Sequence, residues 1–156
     1  FTAGKGIIHS EEPSAEQSTQ GIQLWVNLPT ELKTLEPDYQ QVDSGEINVI
    51  EIAGGKVRQL AGAGAVLKLH TSIIYQDVEL QASSGYTLKI DEVMRGFVYV
   101  LTGEISVSGE TVKRTESCFI EQIEEVEITA LSDARFMLCF GVPHNQPINQ
   151  HGSYVD

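Results

Sequence analysis

The apolar and polar positions of this chain repeat mostly every second residue. The segment FVYVLTGEISVSGETVK, residues 97–113, shows this best. Two β-rich runs flank Thr102-Gly103, and Ser108-Gly109-Glu110 marks a second turn, so the pattern predicts a β-meander with glycine at its turns. Val98 and Val100 fall on one face and Phe97, Tyr99 and Leu101 on the other. Both faces are apolar, which predicts a strand buried on both sides. Residues 126–142, VEITALSDARFMLCFGV, predict two more strands around Ser132-Asp133. Residues 73–80, IIYQDVEL, predict another, with Ile73, Tyr75, Asp77 and Glu79 alternating against Ile74, Gln76, Val78 and Leu80. GIQLWVNLP, residues 21–29, reads as a strand ended by Pro29, with Ile22, Leu24, Trp25 and Val26 expected in a core or a domain interface.

No long amphipathic helix stands out. In PTELKTLEPDYQ, residues 29–40, Thr30 is placed to cap a short turn that Pro37 stops. Many short strands with regular turns predict an all-β sandwich or barrel. The expected organisation is residues 1–44 with too few strands for a core of their own, residues 45–142 closing a small barrel, and residues 143–156 as a tail over the surface.

Charge and composition narrow the function. Ten basic residues stand against twenty-two acidic ones, a net charge of -12. Such a field repels phosphate and argues against nucleic-acid binding, while leaving a basic protein partner possible. No apolar run is long enough to span a bilayer, and no secretory signal is visible, so a soluble, cytoplasmic protein is expected. The first residue is Phe1 rather than Met, the mark of processing or of a piece of something longer. Cys118 and Cys139 form no Cys-x-x-Cys pair and read as reduced core thiols, a disulfide staying open. Cys118 has no cationic neighbour or nearby histidine to make it a nucleophile. AGAGAVL, residues 61–67, lacks the full glycine spacing of a dinucleotide site.

The candidate chemistry lies near the start. GKGIIHSEEP, residues 4–13, sets His9 and Glu11 two residues apart. On a strand, such side chains share one face. One imidazole and one carboxylate suit Fe(II), Mn(II), Ni(II) or Zn(II), but a mononuclear oxygenase site needs at least three protein ligands. His70, His144 and His151 are the other histidines, and none has a histidine partner at i+2 or i+4.

GKGIIHSEEP followed by GIQLWVNLP resembles the pirin family. EPDYQ (36–40), VRQLAG (57–62), SIIYQDVEL (72–80), FVYVLTGE (97–104) and QPINQHGSYV (146–155) agree in order, so the resemblance covers nearly the whole chain. It implies two cupin domains, each a double-stranded β-helix. The first would bind a divalent metal through a His-x-His pair and the histidine and glutamate that match His9 and Glu11. Some members look like quercetin-cleaving dioxygenases acting on flavonols, which would make Glu11 a candidate catalytic base as well as a ligand. Animal members are described as transcription cofactors, which makes a non-catalytic protein-interaction module the alternative.

The sequence departs from that pattern at two places. The His-x-His stretch and the family's C-terminal helix are absent. The resemblance therefore implies remnant strands of a first cupin domain, an incomplete metal site, and a nearly complete second barrel. In that barrel, residues 85–104 carry no histidine, and Asp91 and Glu92 read as a solvated turn. Apolar strand surface left uncovered over residues 1–28 predicts a homo-oligomer.

Overall fold

Most strands between residues 41 and 143 form where apolar side chains recur at every second position, and they stack into two antiparallel sheets. The computed structural model describes residues 1–10, 12, 20–152 and the backbone of 154 and 155. It divides into two units, Phe1–Gln40 with His144–Asp156, and Gln41–Pro143.

In the second unit the strands are β1 (Asn48–Ile52), β2 (Gly55–Ala61), β3 (Ile73–Leu80), β4 (Gly85–Lys89), β5 (Arg95–Thr102), β6 (Glu104–Val107), β7 (Glu110–Lys113), β8 (Ser117–Glu121), β9 (Glu125–Ala130) and β10 (Ala134–Gly141). One sheet runs β1-β2-β3-β10-β5-β8 and the other β4-β9-β6-β7. From β3 onward the chain steps repeatedly from one sheet to the other. This is the winding of a double-stranded β-helix, and it buries the inner faces of both sheets against each other.

β9 shows the pattern plainly. Val126, Ile128 and Ala130 are buried while Glu125, Glu127 and Thr129 are exposed. Opposite them, β10 contributes Phe136, Leu138 and Phe140, all fully buried. Met137 and Cys139 on its other face are buried too, so this central strand is apolar without a break from Phe136 to Phe140. In β5, Val98 and Val100 are fully buried, while Phe97, Tyr99 and Leu101 are half-buried.

Several expectations change. The segment after Thr102-Gly103 is no hairpin return: β5 lies in the six-stranded sheet and β6 in the four-stranded one. Gly103 turns the corner at φ +77°, where a Cβ would stand 2.2 Å from the Asp133 carbonyl oxygen, so only glycine fits. Ser132-Asp133 is a second such crossing, fixed by Glu104 N–H donating to Ser132 Oγ at 3.0 Å and Ala82 N–H donating to Asp133 Oδ1 at 2.9 Å. The hairpin at Ser108-Gly109 is as read, joining β6 to β7.

The first unit carries little regular structure among its described residues. Residues 21–29 form no strand. Ile22, Trp25 and Val26 are exposed, Trp25 by 60%, rather than buried in a core. Thr30 does not cap the short helix; it opens a 3-10 turn, Thr30–Leu32, that ends well before Pro37. Its amide and hydroxyl both donate to Gln146 Oε1, at 2.7 and 2.9 Å. In the tail, β11 (Gln150–His151) pairs with β12 (Tyr154–Val155).

Candidate functional site

His9 follows a turn rather than a strand. The Gly6 amide donates to the Ala3 carbonyl at 2.8 Å, and the Lys5 amide donates to the Leu35 carbonyl at 2.9 Å. Gly4 takes φ +48° there, with its would-be Cβ 2.0 Å from the Leu35 oxygen, so the tight approach requires glycine. An isolated bridge, Thr2↔Asp38, and the Lys5–Glu36 ion pair tie the same two segments together.

The His9 imidazole is exposed and stacks on Phe1, ring centroids 5.2 Å apart and planes at 30°. Phe1 in turn meets Tyr39 at 4.7 Å. Glu11, the expected second ligand, lies outside the described residues. The shared strand face expected for the pair is not formed around His9, since residues 6–10 are irregular.

The remaining histidines lie in separate segments of the chain. His70 is exposed on the loop between β2 and β3, and His151 is exposed on β11. His144 is half-buried, with Nε2 buried and lacking a hydrogen-bond partner among the described residues. No three His, Cys, Asp or Glu side chains among the described residues converge as a metal-binding group. These residues alone therefore do not fit a complete mononuclear centre.

The barrel holds a polar chain of its own. Gln76 Nε2 donates to Gln59 Oε1 at 2.8 Å, Gln59 Nε2 donates to the Ala61 carbonyl at 2.7 Å, and the Tyr86 hydroxyl donates to Gln76 Oε1 at 2.9 Å. Gln59 and Gln76 are buried on the core side of β2 and β3, while Tyr86 reaches across from β4 in the opposite sheet. Burial pushes the Tyr86 hydroxyl pKa up, outweighing the bond to Gln76, so the hydroxyl stays a donor at neutral pH. The sequence offered one signal for this network, a glutamine among the otherwise apolar core-facing positions of β2 and β3.

On the opposite face of the six-stranded sheet, ion pairs link β2, β3 and β10. Arg135 grips Asp77 with two parallel bonds, Nε to Oδ1 at 2.9 Å and Nη2 to Oδ2 at 2.8 Å. Arg58 Nη1 reaches Asp77 Oδ2 at 3.2 Å and Glu79 Oε1 at 2.6 Å, and Lys56 Nζ reaches Glu79 Oε2 at 3.1 Å. Desolvation raises the Glu79 pKa, but hydrogen bonds from Arg58 and Lys56 outweigh it and hold the carboxyl below its ordinary value. Asp91 accepts from the Val93 amide at 3.2 Å and so organises the turn before β5.

Two antiparallel sheets wound in this order define a cupin barrel. Residues 75–156 match the family described as the pirin C-terminal cupin domain, and the chain belongs to the pirin family. It is 34% identical to a pirin-like protein of Caulobacter vibrioides, over 98% of this chain and 58% of that one. It is 29% identical to pirin of Homo sapiens, over 99% of this chain and 57% of that one. A crystal structure of quercetin 2,3-dioxygenase from Acinetobacter baumannii superimposes with a TM-score of 0.79 at 26% identity, covering 84% of this chain and 48% of that one. The chain thus spans under three fifths of the length of these two curated relatives. Among the described residues no helix is long and apolar enough to cross a membrane.

Proposed function

We propose that this chain serves a pirin with quercetinase-type, metal-dependent dioxygenase chemistry on a flavonol-like substrate. The observation that carries this reading is the likeness to the Acinetobacter baumannii quercetin 2,3-dioxygenase over 84% of the chain. In this reading His9 and Glu11 are two ligands of a divalent metal, Fe(II) or a similar ion such as Ni(II), Mn(II) or Zn(II), and Glu11 doubles as the base. Two donors hold a metal weakly, so the reading requires further ligands, from a neighbouring chain or from residues not described. The barrel of residues 41–143 is the non-catalytic partner of that centre, its interior bridged by Gln59, Gln76 and Tyr86.

The exposed side chains Ile8, Ile22, Trp25 and Val26 favour assembly with further copies of the chain. The test is metal content together with quercetin loss and O2 uptake. Metal-dependent turnover that His9→Ala abolishes supports the reading. Turnover that survives His9→Ala contradicts it. The second reading, a module for protein contacts, is favoured by the acidic charge of the chain and by an open sheet edge.

A further inference from the structure

β8 ends the six-stranded sheet, and β7 ends the four-stranded one. Among the described residues β8 pairs with β5 alone, over five residue pairs from Arg95↔Glu121 to Tyr99↔Ser117. Its outer edge therefore offers backbone donors and acceptors at every second residue. Between β7 and β8 lies an open groove of about 600 Å³, lined by Glu110, Val112, Glu116, Cys118 and Phe119 among others. Phe119 is 82% exposed, and its ring sits 6.1 Å from that of Phe97.

Sheet edges are commonly guarded by lysine, proline, a bulge or a covering segment. The sequence Ser117-Cys118-Phe119-Ile120-Glu121 has neither lysine nor proline. Its charged neighbours in the groove, Glu110 and Glu116, are both carboxylates, and Glu110 acts on the Cys118 thiol. A second copy docking edge to edge would bring these carboxylates against their equivalents, on a chain that already carries -12. A cationic strand meets no such repulsion.

We propose that the β8 edge and its groove bind an extended basic peptide segment of a partner protein, added as a further strand. Main-chain bonds to β8 supply affinity, and alternate side chains supply selectivity. One face of the incoming strand carries Lys or Arg toward Glu110 and Glu116. The other lays an apolar side chain beside Phe119. β8 is preorganised by its full pairing with β5, which lowers the ordering cost on binding.

The test is fluorescence anisotropy with the labelled peptide Lys-Val-Arg-Val-Lys-Val-Arg and the full chain. Saturable binding that weakens with added salt is expected. The double variant E110K/E116Q, in which Gln keeps the acceptor that Glu116 offers the Lys113 amide at 2.9 Å, should weaken binding about tenfold or more. The same peptide N-methylated at alternate residues should lose binding, because it cannot add as a strand. Absence of binding by the unmodified peptide would overturn the proposal. So would equal affinity for the double variant, or equal affinity for the N-methylated peptide. A dimer in light scattering that Phe119→Asp converts to monomer would also overturn it, by showing that a second copy occupies the edge. Circular dichroism of each variant separates loss of binding from loss of fold.

Discussion

Gln76 lies between two partners, donating to Gln59 at 2.8 Å along the sheet and accepting from Tyr86 at 2.9 Å across the barrel. It joins β2, β3 and β4 through one buried amide. Replacing Gln76 with Leu removes a partner from the buried Gln59 carbonyl and from the half-buried Tyr86 hydroxyl. The expected cost is about 1–3 kcal/mol for such a group. Tyr86→Phe removes a donor and leaves one acceptor short, at about 1 kcal/mol. Urea unfolding measures both, and a Gln76→Leu variant as stable as the parent would show that the network contributes nothing net.

Asp77 is a carboxylate with a side chain only 6% exposed, held by Arg135 on one side and Arg58 on the other. Asp77→Asn keeps the shape but strips the charge that both guanidiniums face. A loss of about 1.5–3 kcal/mol is expected, the range for hydrogen bonds to a charged group, because Arg135 and Arg58 are exposed enough for water to solvate them once the charge is gone. Arg135→Lys should recover little, because a point charge cannot reproduce the two parallel bonds. Thermal and denaturant unfolding of the two variants check this.

Glu79 adds a pH dependence. Its folded carboxyl is held below the ordinary value, so the folded state binds its proton less readily than the unfolded state does. The resulting stability is fully present above the unfolded carboxylate range and is lost as pH falls through the lowered folded value. Glu79→Gln should therefore cost stability at neutral pH and cost none once the medium is acid enough to protonate the folded carboxyl. A difference from the parent that stays constant from neutral to acid pH would refute the assignment.

The two thiols differ in setting. Burial pushes the Cys139 thiol up to about 11, so almost none of it is thiolate near neutral pH. The Cys118 thiol is raised by burial and then by Glu110, but it is only half-buried and opens on the groove. A thiol reagent applied to the folded chain should label Cys118 before Cys139, and Glu110→Lys should speed labelling at Cys118. Mass spectrometry of the labelled chain reads both. Cys139 reacting first would contradict the packing described.

Much of the barrel is legible along the chain because one-sided burial writes itself as alternation. IIYQDVEL gives β3 at its observed limits, and VEITA and ARFMLCFG give β9 and β10. β1 is harder to read, for it is exposed along nearly its whole length and no burial pattern marks it. Gly103 illustrates a different limit. A glycine turn between two β runs looks the same whether the chain folds back beside itself or crosses to the facing sheet, and only the long-range partners β10 and β9 decide. GIQLWVNLP has the composition of a strand, yet it forms none, because composition does not supply the neighbouring strand that a ladder requires.

The candidate metal ligands divide in the same way. His9 and Glu11 are legible as residue types at a suggestive spacing, since metal chemistry selects imidazole and carboxylate. Their geometry is not legible, because ligands converge through contacts distant in sequence. Gln59 and Gln76 are seventeen residues apart and meet only because β2 and β3 pair in that register.

Exposed apolar side chains at Ile22, Trp25 and Val26 predict self-association of the chain. Sedimentation should show a species larger than a monomer, and the double variant Ile22→Asp/Trp25→Asp should shift it toward monomer. A parent chain that sediments as monomer at every concentration would rule this out.

The most direct test of the metal assignment is a calorimetric titration of Ni(II) into the parent chain and into His9→Ala. One ion per chain should bind the parent, and binding to the variant should be at least tenfold weaker, a difference of about 1.4 kcal/mol. Equal affinity in the two proteins, or absence of binding in the parent, would contradict a role for His9 as a metal ligand.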